Sequence, residues 1–191
     1  MAVSDMGNRL SRIITGTGDA GETGLADGSR CRKSSPRIEA LGELDELNSI
    51  IGLARAAIDD TEAGEVLLQI QHDLFDLGAE LCQPEKRLIG GDYPDALTRQ
   101  AEALNARLPP LREFILPGGS EALARLHLAR SVSRRAERAL VRLADTETVN
   151  GHTLAYLNRL SDLLFILGRH LAQELGLREE LWQPARSRTR S

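Results

Sequence analysis

"ITGTGDAGETG", residues 14–24, decides between two folds. Read from Gly16 to Gly21 it is a literal GxGxxG, which between a strand and a helix marks the pyrophosphate turn of a dinucleotide-binding α/β sheet. That reading needs a βαβ unit around it. Upstream, "SRIIT" (residues 11–15) supplies at most a short extended piece, and no later run of alternating β-branched residues is long enough for a sheet. A Walker A loop fails as well: the lysines are Lys33 and Lys86, and neither follows a glycine. The glycines therefore belong to a loop, and the fold is set by what comes after them.

What comes after them is helical. Leu44, Leu47, Ile51, Ala54 and Ile58 recur at three- and four-residue steps, as do Leu67, Ile70, Leu74, Leu77 and Leu81, with "DDTEAG" between the two runs. "KRLIGGDYP" interrupts, a weaker helix runs from about Asp95 to Pro109-Pro110, and "LPGGS" interrupts again. Two further seams follow, Leu126-Ala129-Ser133-Ala136-Leu140-Leu143 and Leu154-Leu157-Leu160-Leu164-Leu167-Leu171. The expectation is all-α: a five-helix bundle behind a Gly/Thr-rich loop. The chain divides into an N-terminal arm and Gly/Thr-rich loop (1–36), the bundle (37–177) and a polar tail (178–191).

With 191 residues there is enough chain for one core without disulfides or a structural metal. A net charge of -4 and 3% aromatic residues argue against a nucleic-acid surface, which wants a basic face and stacking platforms. The basic end "RSRTRS" reads as solvated. Cys31 and Cys82 stand far apart without His or Cys at ligand spacing, so neither a disulfide framework nor a zinc site is indicated and a reducing cytoplasm is expected. "MAVSDMGNRLSRIIT" has no apolar h-region and no stretch is long enough to span a bilayer, so neither signal peptide nor membrane anchor is expected.

Two stretches carry polar residues where a bundle should be dry. In "RSVSRRAER", Arg130, Arg134 and Glu137 fall at i, i+4 and i+7 with Arg135 and Arg138 on the neighbouring row, so guanidinium groups converge on one side of a helix. Arg-rich faces are usually solvated. In "YLNRLSDLLFIL", Asn158 and Asp162 lie four apart in an apolar segment; turned inward, each costs about 1–3 kcal/mol unless partnered, and the arginines are the natural partners. A Gly/Thr loop with free N–H groups and a set of planar cationic forks both suit a polyphosphate. No Ser-His-Asp or Cys-His arrangement can be assigned, and the absence of any ExxH removes the di-iron bundle signature.

In order and spacing, "TGTGDAGETG", Lys33, "EALGELDELNSIIGLA", "LFDLGAEL", "FILPGGS", "RSVSRRAER" and "YLNRLSDLLFILGR" resemble the PduO-type ATP:cob(I)alamin adenosyltransferases, over residues 15 to about 176. The resemblance implies a bundle that assembles as a homotrimer with sites between subunits. It implies transfer of the 5′-deoxyadenosyl group of ATP to the cobalt of cob(I)alamin, giving adenosylcobalamin and triphosphate, with Mg²⁺ on the phosphates. By position, Thr15, Gly16, Thr17, Gly18, Thr23, Gly24 and Lys33 would hold ATP from one chain, and Arg134, Arg135, Ala136, Glu137, Arg138 and Asn158 from the next. Arg134, Glu137 and Arg130 would carry catalysis. Asp45, Arg130 and Asp162 would shape the corrinoid side.

There, Phe114 would press on the lower face of the corrin, exclude its axial ligand and ease reduction of Co(II) to Co(I). The family usually reads T-K-T-G-D at the loop, and here Gly16 replaces that lysine. A cob(II)alamin reductase and a B12-dependent enzyme are the implied partners. The alternative reading is a non-catalytic ATP- or corrinoid-binding chaperone or sensor, which Gly16 favours. A purely structural helical protein is disfavoured by the polar residues of the last seam.

Overall fold

The computed structural model describes residues 14–58, 61–83 and 85–184. "RSRTRS", most of "SRIIT" and part of "DDTEAG" lie outside the described residues. Among the described residues five helices make up the body: α1 (Pro36–Arg55), α2 (Glu62–Leu81), α3 (Asp92–Asn105), α4 (Glu121–Ala144) and α5 (Gly151–Glu174). None is long and apolar enough to cross a membrane.

Each start has a local cause. Ser35, Thr61, Ser120 and Asn150 cap α1, α2, α4 and α5 by accepting from the backbone N–H groups of Ile38, Gly64, Leu123 and His152. Helix α1 adds proline at its first position, where no N–H is needed. Helix α3 begins at Asp92, three residues before the sequence suggests, because Pro94 falls in its first turn and is tolerated there. It also ends at Asn105, before Pro109.

Helices α1, α2, α4 and α5 pack as a four-membered ring, α1 against α2 and α4, α5 against α4 and α2, and α3 lies along the outside of α5. The four apolar seams fill the interior: Leu47, Ile51, Leu67, Leu77, Leu143, Leu157, Leu160 and Leu167 are all at 0% exposure. Two buried polar hubs tie the ends together. Glu80 accepts from the N–H of Leu88 (2.6 Å) and Ile89 (2.9 Å), from Asn150 Nδ2 (3.0 Å) and from the Thr153 hydroxyl (2.7 Å), fixing the α2–α3 connection to the start of α5. Arg37 donates to Leu81 O (2.6 Å) and to Glu147 (3.0 Å from Nε).

The described part of the arm, from residue 14, contains regular structure. Strands β1 (Glu22–Gly24) and β2 (Arg30–Arg32) form an antiparallel hairpin, pairing Thr23 with Cys31. Three-residue strands without β-branched alternation leave no pattern to read, which is why the sequence shows only a loop here. The hairpin turn is held to the body by the buried side chain of Leu25 and by the Ala26 N–H donating to Cys82 O at 3.1 Å.

Candidate active site

The glycine-rich segment before the hairpin is a pair of overlapping turns, Asp19 N–H to Gly16 O and Gly21 N–H to Gly18 O. Gly16 takes φ +68°, a left-handed conformation that a side chain makes costly. At Gly18 the reason is space: an added Cβ would lie 3.0 Å from Lys33 Nζ and 3.3 Å from Glu22 O. Lys33 thus folds its ammonium over the turn, while its own N–H donates to Gly21 O at 2.9 Å. Thr15 and Thr17 hydroxyls meet at 3.0 Å, and Arg30 donates to Thr17 O at 2.9 Å. The exposed side chains of Thr15, Thr17, Arg30 and Lys33 therefore gather around one turn.

On the bundle, the arginines of α4 part into two groups. Arg135 turns toward α1 and pairs with Glu43 (2.6 Å) and Glu46, the contacts that raise its pKa, Glu43 first; Arg142 pairs with Glu39 at 2.6 Å. Arg134 and Arg138 stay exposed, Arg138 donating to Arg134 O at 3.1 Å. Full convergence of the guanidinium groups is thus corrected, because the helical rows carrying 135 and 142 face the acidic edge of α1. Ala136 is buried at 1% and packs in the core.

Asn158 and Asp162 also require correction. Both are exposed, on the narrow stripe of α5 left uncovered by its neighbours, so no burial cost arises. Asn158 Nδ2 donates to Glu137 Oε1 at 2.9 Å, a carboxylate and not an arginine. Asp162 borders a groove of about 250 Å³ between α3 and α5, with Leu97, Ala101, Arg159 and Ile166.

Asp45 lines a second groove, about 300 Å³, on the outside of α1 and α2 beside Phe75, an aromatic 72% exposed. Arg130 is half-buried with its Nε unpartnered, and depresses the pKa of neighbouring His127, although burial is the larger cause.

Phe114 is not core: it is 76% exposed. Its ring meets Trp182 edge-on, centroids 6.2 Å apart. Backbone bonds hold the pair, Trp182 N–H to Phe114 O at 2.7 Å and Leu116 N–H to Glu180 O at 2.8 Å. Trp182 belongs to no motif of the sequence, although a single tryptophan in an aromatic-poor chain is itself a signal.

Among the described residues no hydrogen bond or ion pair joins residues 15–33 to Arg130, Arg134, Glu137, Arg138 or Asn158, nor Asp45 to Arg130. The chain therefore carries two exposed polar clusters that do not touch, the Gly/Thr turn with Arg30 and Lys33 and the α4–α5 face with Arg134, Glu137, Arg138 and Asn158.

A family model described as cobalamin adenosyltransferase matches residues 13–171. The chain belongs to the cobalamin adenosyltransferase family. It is 54% identical over 182 residues to a cobalamin adenosyltransferase of Cupriavidus metallidurans, covering 95% of this chain and 99% of that one. It is 46% identical over 196 residues to a corrinoid adenosyltransferase of Mycobacterium tuberculosis, covering 97% and 100%. Among solved structures, a variant of a PduO-type ATP:corrinoid adenosyltransferase from Lactobacillus reuteri, complexed with cobalamin and ATP, superposes with a TM-score of 0.84 at 32% identity, covering 90% of this chain and 99% of the other. The five-helix architecture is thus that of the family.

Proposed function

We infer that this chain adenosylates a corrinoid with ATP. In the reaction proposed, the Co(I) nucleophile attacks C5′ of ATP, the Co–C bond forms as the C5′–O bond breaks, and the electron pair departs on triphosphate. What supports it is membership of the family together with two separate exposed clusters, the Gly/Thr turn with Lys33 and the α4 face with Arg134 and Arg138, whose residue types suit a polyphosphate. We propose that they meet between copies in a homotrimer, where a head-to-tail contact closes into a ring.

In that arrangement Thr15, Gly16, Thr17, Gly18, Thr23, Gly24 and Lys33 line the nucleotide from one copy. Arg134 and Arg138 reach the phosphates from the next, with Glu137 and Asn158 fixing each other beside them. Charge leaving on triphosphate is what these cations stabilise. Arg135 contributes by tying α4 to α1. Mg²⁺ would enter with ATP; the exposed hydroxyls of Thr15 and Thr17 and the carboxylate of Asp19 are hard oxygen donors that fit it, and it would neutralise phosphate charge.

Asp45, Arg130 and Asp162 border the corrinoid, and Phe114, steadied by Trp182, presses on its lower face. Because Co(I) is consumed, a reductase acting on cob(II)alamin is the proposed upstream partner and a B12-dependent enzyme the downstream one, in the cytoplasm. Incubation with ATP, Mg²⁺ and chemically reduced cobalamin tests the reading. Appearance of the Co–C absorbance supports it; tight ATP binding without product would make the protein a chaperone or sensor.

A further inference from the structure

At the end of the bundle formed by the start of α2 and the end of α5, one histidine is placed as a core residue without core partners. His170 is 6% exposed, and neither ring nitrogen has a hydrogen-bond partner. A buried imidazole in that state gives up bonds worth making. Its Nε2 instead faces two carboxylates, Glu174 Oε1 at 3.2 Å, one helical turn on, and Glu62 Oε2 at 3.8 Å, across the bundle on α2. One donor atom from each of the three lies within 4.8 Å of the others.

We propose that Glu62, His170 and Glu174 form a binding site for a transition-metal dication of the Zn²⁺ class. Ligand atoms about 2.1 Å from a tetrahedral Zn²⁺ stand about 3.4 Å apart, and the two distances to His170 bracket that value. The donor set is one imidazole and two carboxylates, which suits borderline dications and not Mg²⁺ or Ca²⁺, both of which take oxygen. The histidine is already ordered by the core, while the carboxylate side chains are 42% and 41% exposed and have room to close on the ion.

One competitor is present: Arg107, in the turn after α3, donates to Glu62 Oε2 at 3.0 Å. A carboxylate has a second oxygen, so the guanidinium weakens this ligand without removing it. Bound metal joins the first turn of α2 to the last turn of α5, two elements that meet sparingly along their length. The site lies apart from both half-sites and serves stability, leaving adenosyl transfer to other residues.

The test is a Co²⁺ titration of untagged, chelator-treated, corrinoid-free protein, followed by ligand-field absorbance. The expected result is one saturable equivalent per chain, displaced by Zn²⁺, and a thermal midpoint raised by a few degrees at saturating Zn²⁺. His170→Ala removes the spectrum and Glu174→Ala, on the exposed end of α5, weakens binding at least about tenfold without disturbing the fold. Arg107→Ala tightens it, which simple destabilisation would not do. Failure of the parent protein to take up one equivalent, or equal affinity in Glu174→Ala and the parent, overturns the proposal.

Discussion

Arg134→Ala separates a phosphate ligand from an ordinary surface arginine. The side chain is exposed in mid α4, and no hydrogen bond or ion pair among the described residues holds it. Alanine is the better helix former, so the folding stability changes by less than about 0.5 kcal/mol. In the proposed site the same side chain would make a charge-assisted contact with triphosphate worth about 1.5–3 kcal/mol. That range corresponds to a roughly 10- to 160-fold loss in kcat/KM for ATP, concentrated in kcat if the contact tightens as charge leaves.

Arg135→Ala supplies the contrast. Its cost falls on the Glu43 and Glu46 pairs, about 0.2–1 kcal/mol each, and is read in thermal stability before it is read in turnover. Steady-state adenosylation by absorbance, alongside thermal melts, distinguishes the two. Near-parental kcat/KM in Arg134→Ala would return that arginine to a solvated face.

Phe114→Ala should leave ATP affinity nearly unchanged and slow turnover severely with a mild reductase, much less with a strong chemical reductant. Spectra of bound Co(II) corrinoid with ATP should then change from four-coordinate to five-coordinate; identical spectra would refute the role. Glu80→Gln should cost about 1–3 kcal/mol in melts at neutral pH, since an amide must turn an N–H toward donors that the carboxylate accepts from. Burial alone would raise the pKa of Glu80, but hydrogen bonds from Ile89, Thr153, Asn150 and Leu88 together outweigh it and hold it below its ordinary value. Its stabilisation is therefore full above the ordinary glutamate range and is lost as pH falls through the lowered folded value. The acid slope of stability should be shallower in Glu80→Gln, and an unchanged slope would contradict the assignment.

The helices were legible because their seams are long and face one core: every residue of the Leu126–Leu143 seam is buried. The hairpin was not, since "ETG" and "RCR" are too short and too polar for a period to show. Asn158 and Asp162 were misplaced for a specific reason. Helix α5 touches three others and is apolar nearly all round, so its one exposed stripe looks in sequence like polar residues inside a dry segment. Partners far apart in the chain were equally hidden: nothing near Glu80 announces Asn150 and Thr153, and nothing near Arg37 announces Glu147. The Gly/Thr loop and the arginine row, by contrast, stand out in the sequence as strings of residue types that suit phosphate. That no hydrogen bond or ion pair among the described residues joins them within one chain is visible only in three dimensions.

The central claim, that the two half-sites work across copies, is tested most directly by mixing two defective variants. Lys33→Ala damages the loop half and Arg134→Ala the helix half. In a head-to-tail trimer assembled randomly from equal amounts, about one interface in four pairs an intact loop with an intact helix. Coexpressed variants should therefore recover about a quarter of the parental adenosylation rate over the background of either alone. If each site were built within a single chain, no molecule in the mixture would hold both intact halves, and a rate no higher than the two separate variants would contradict the account.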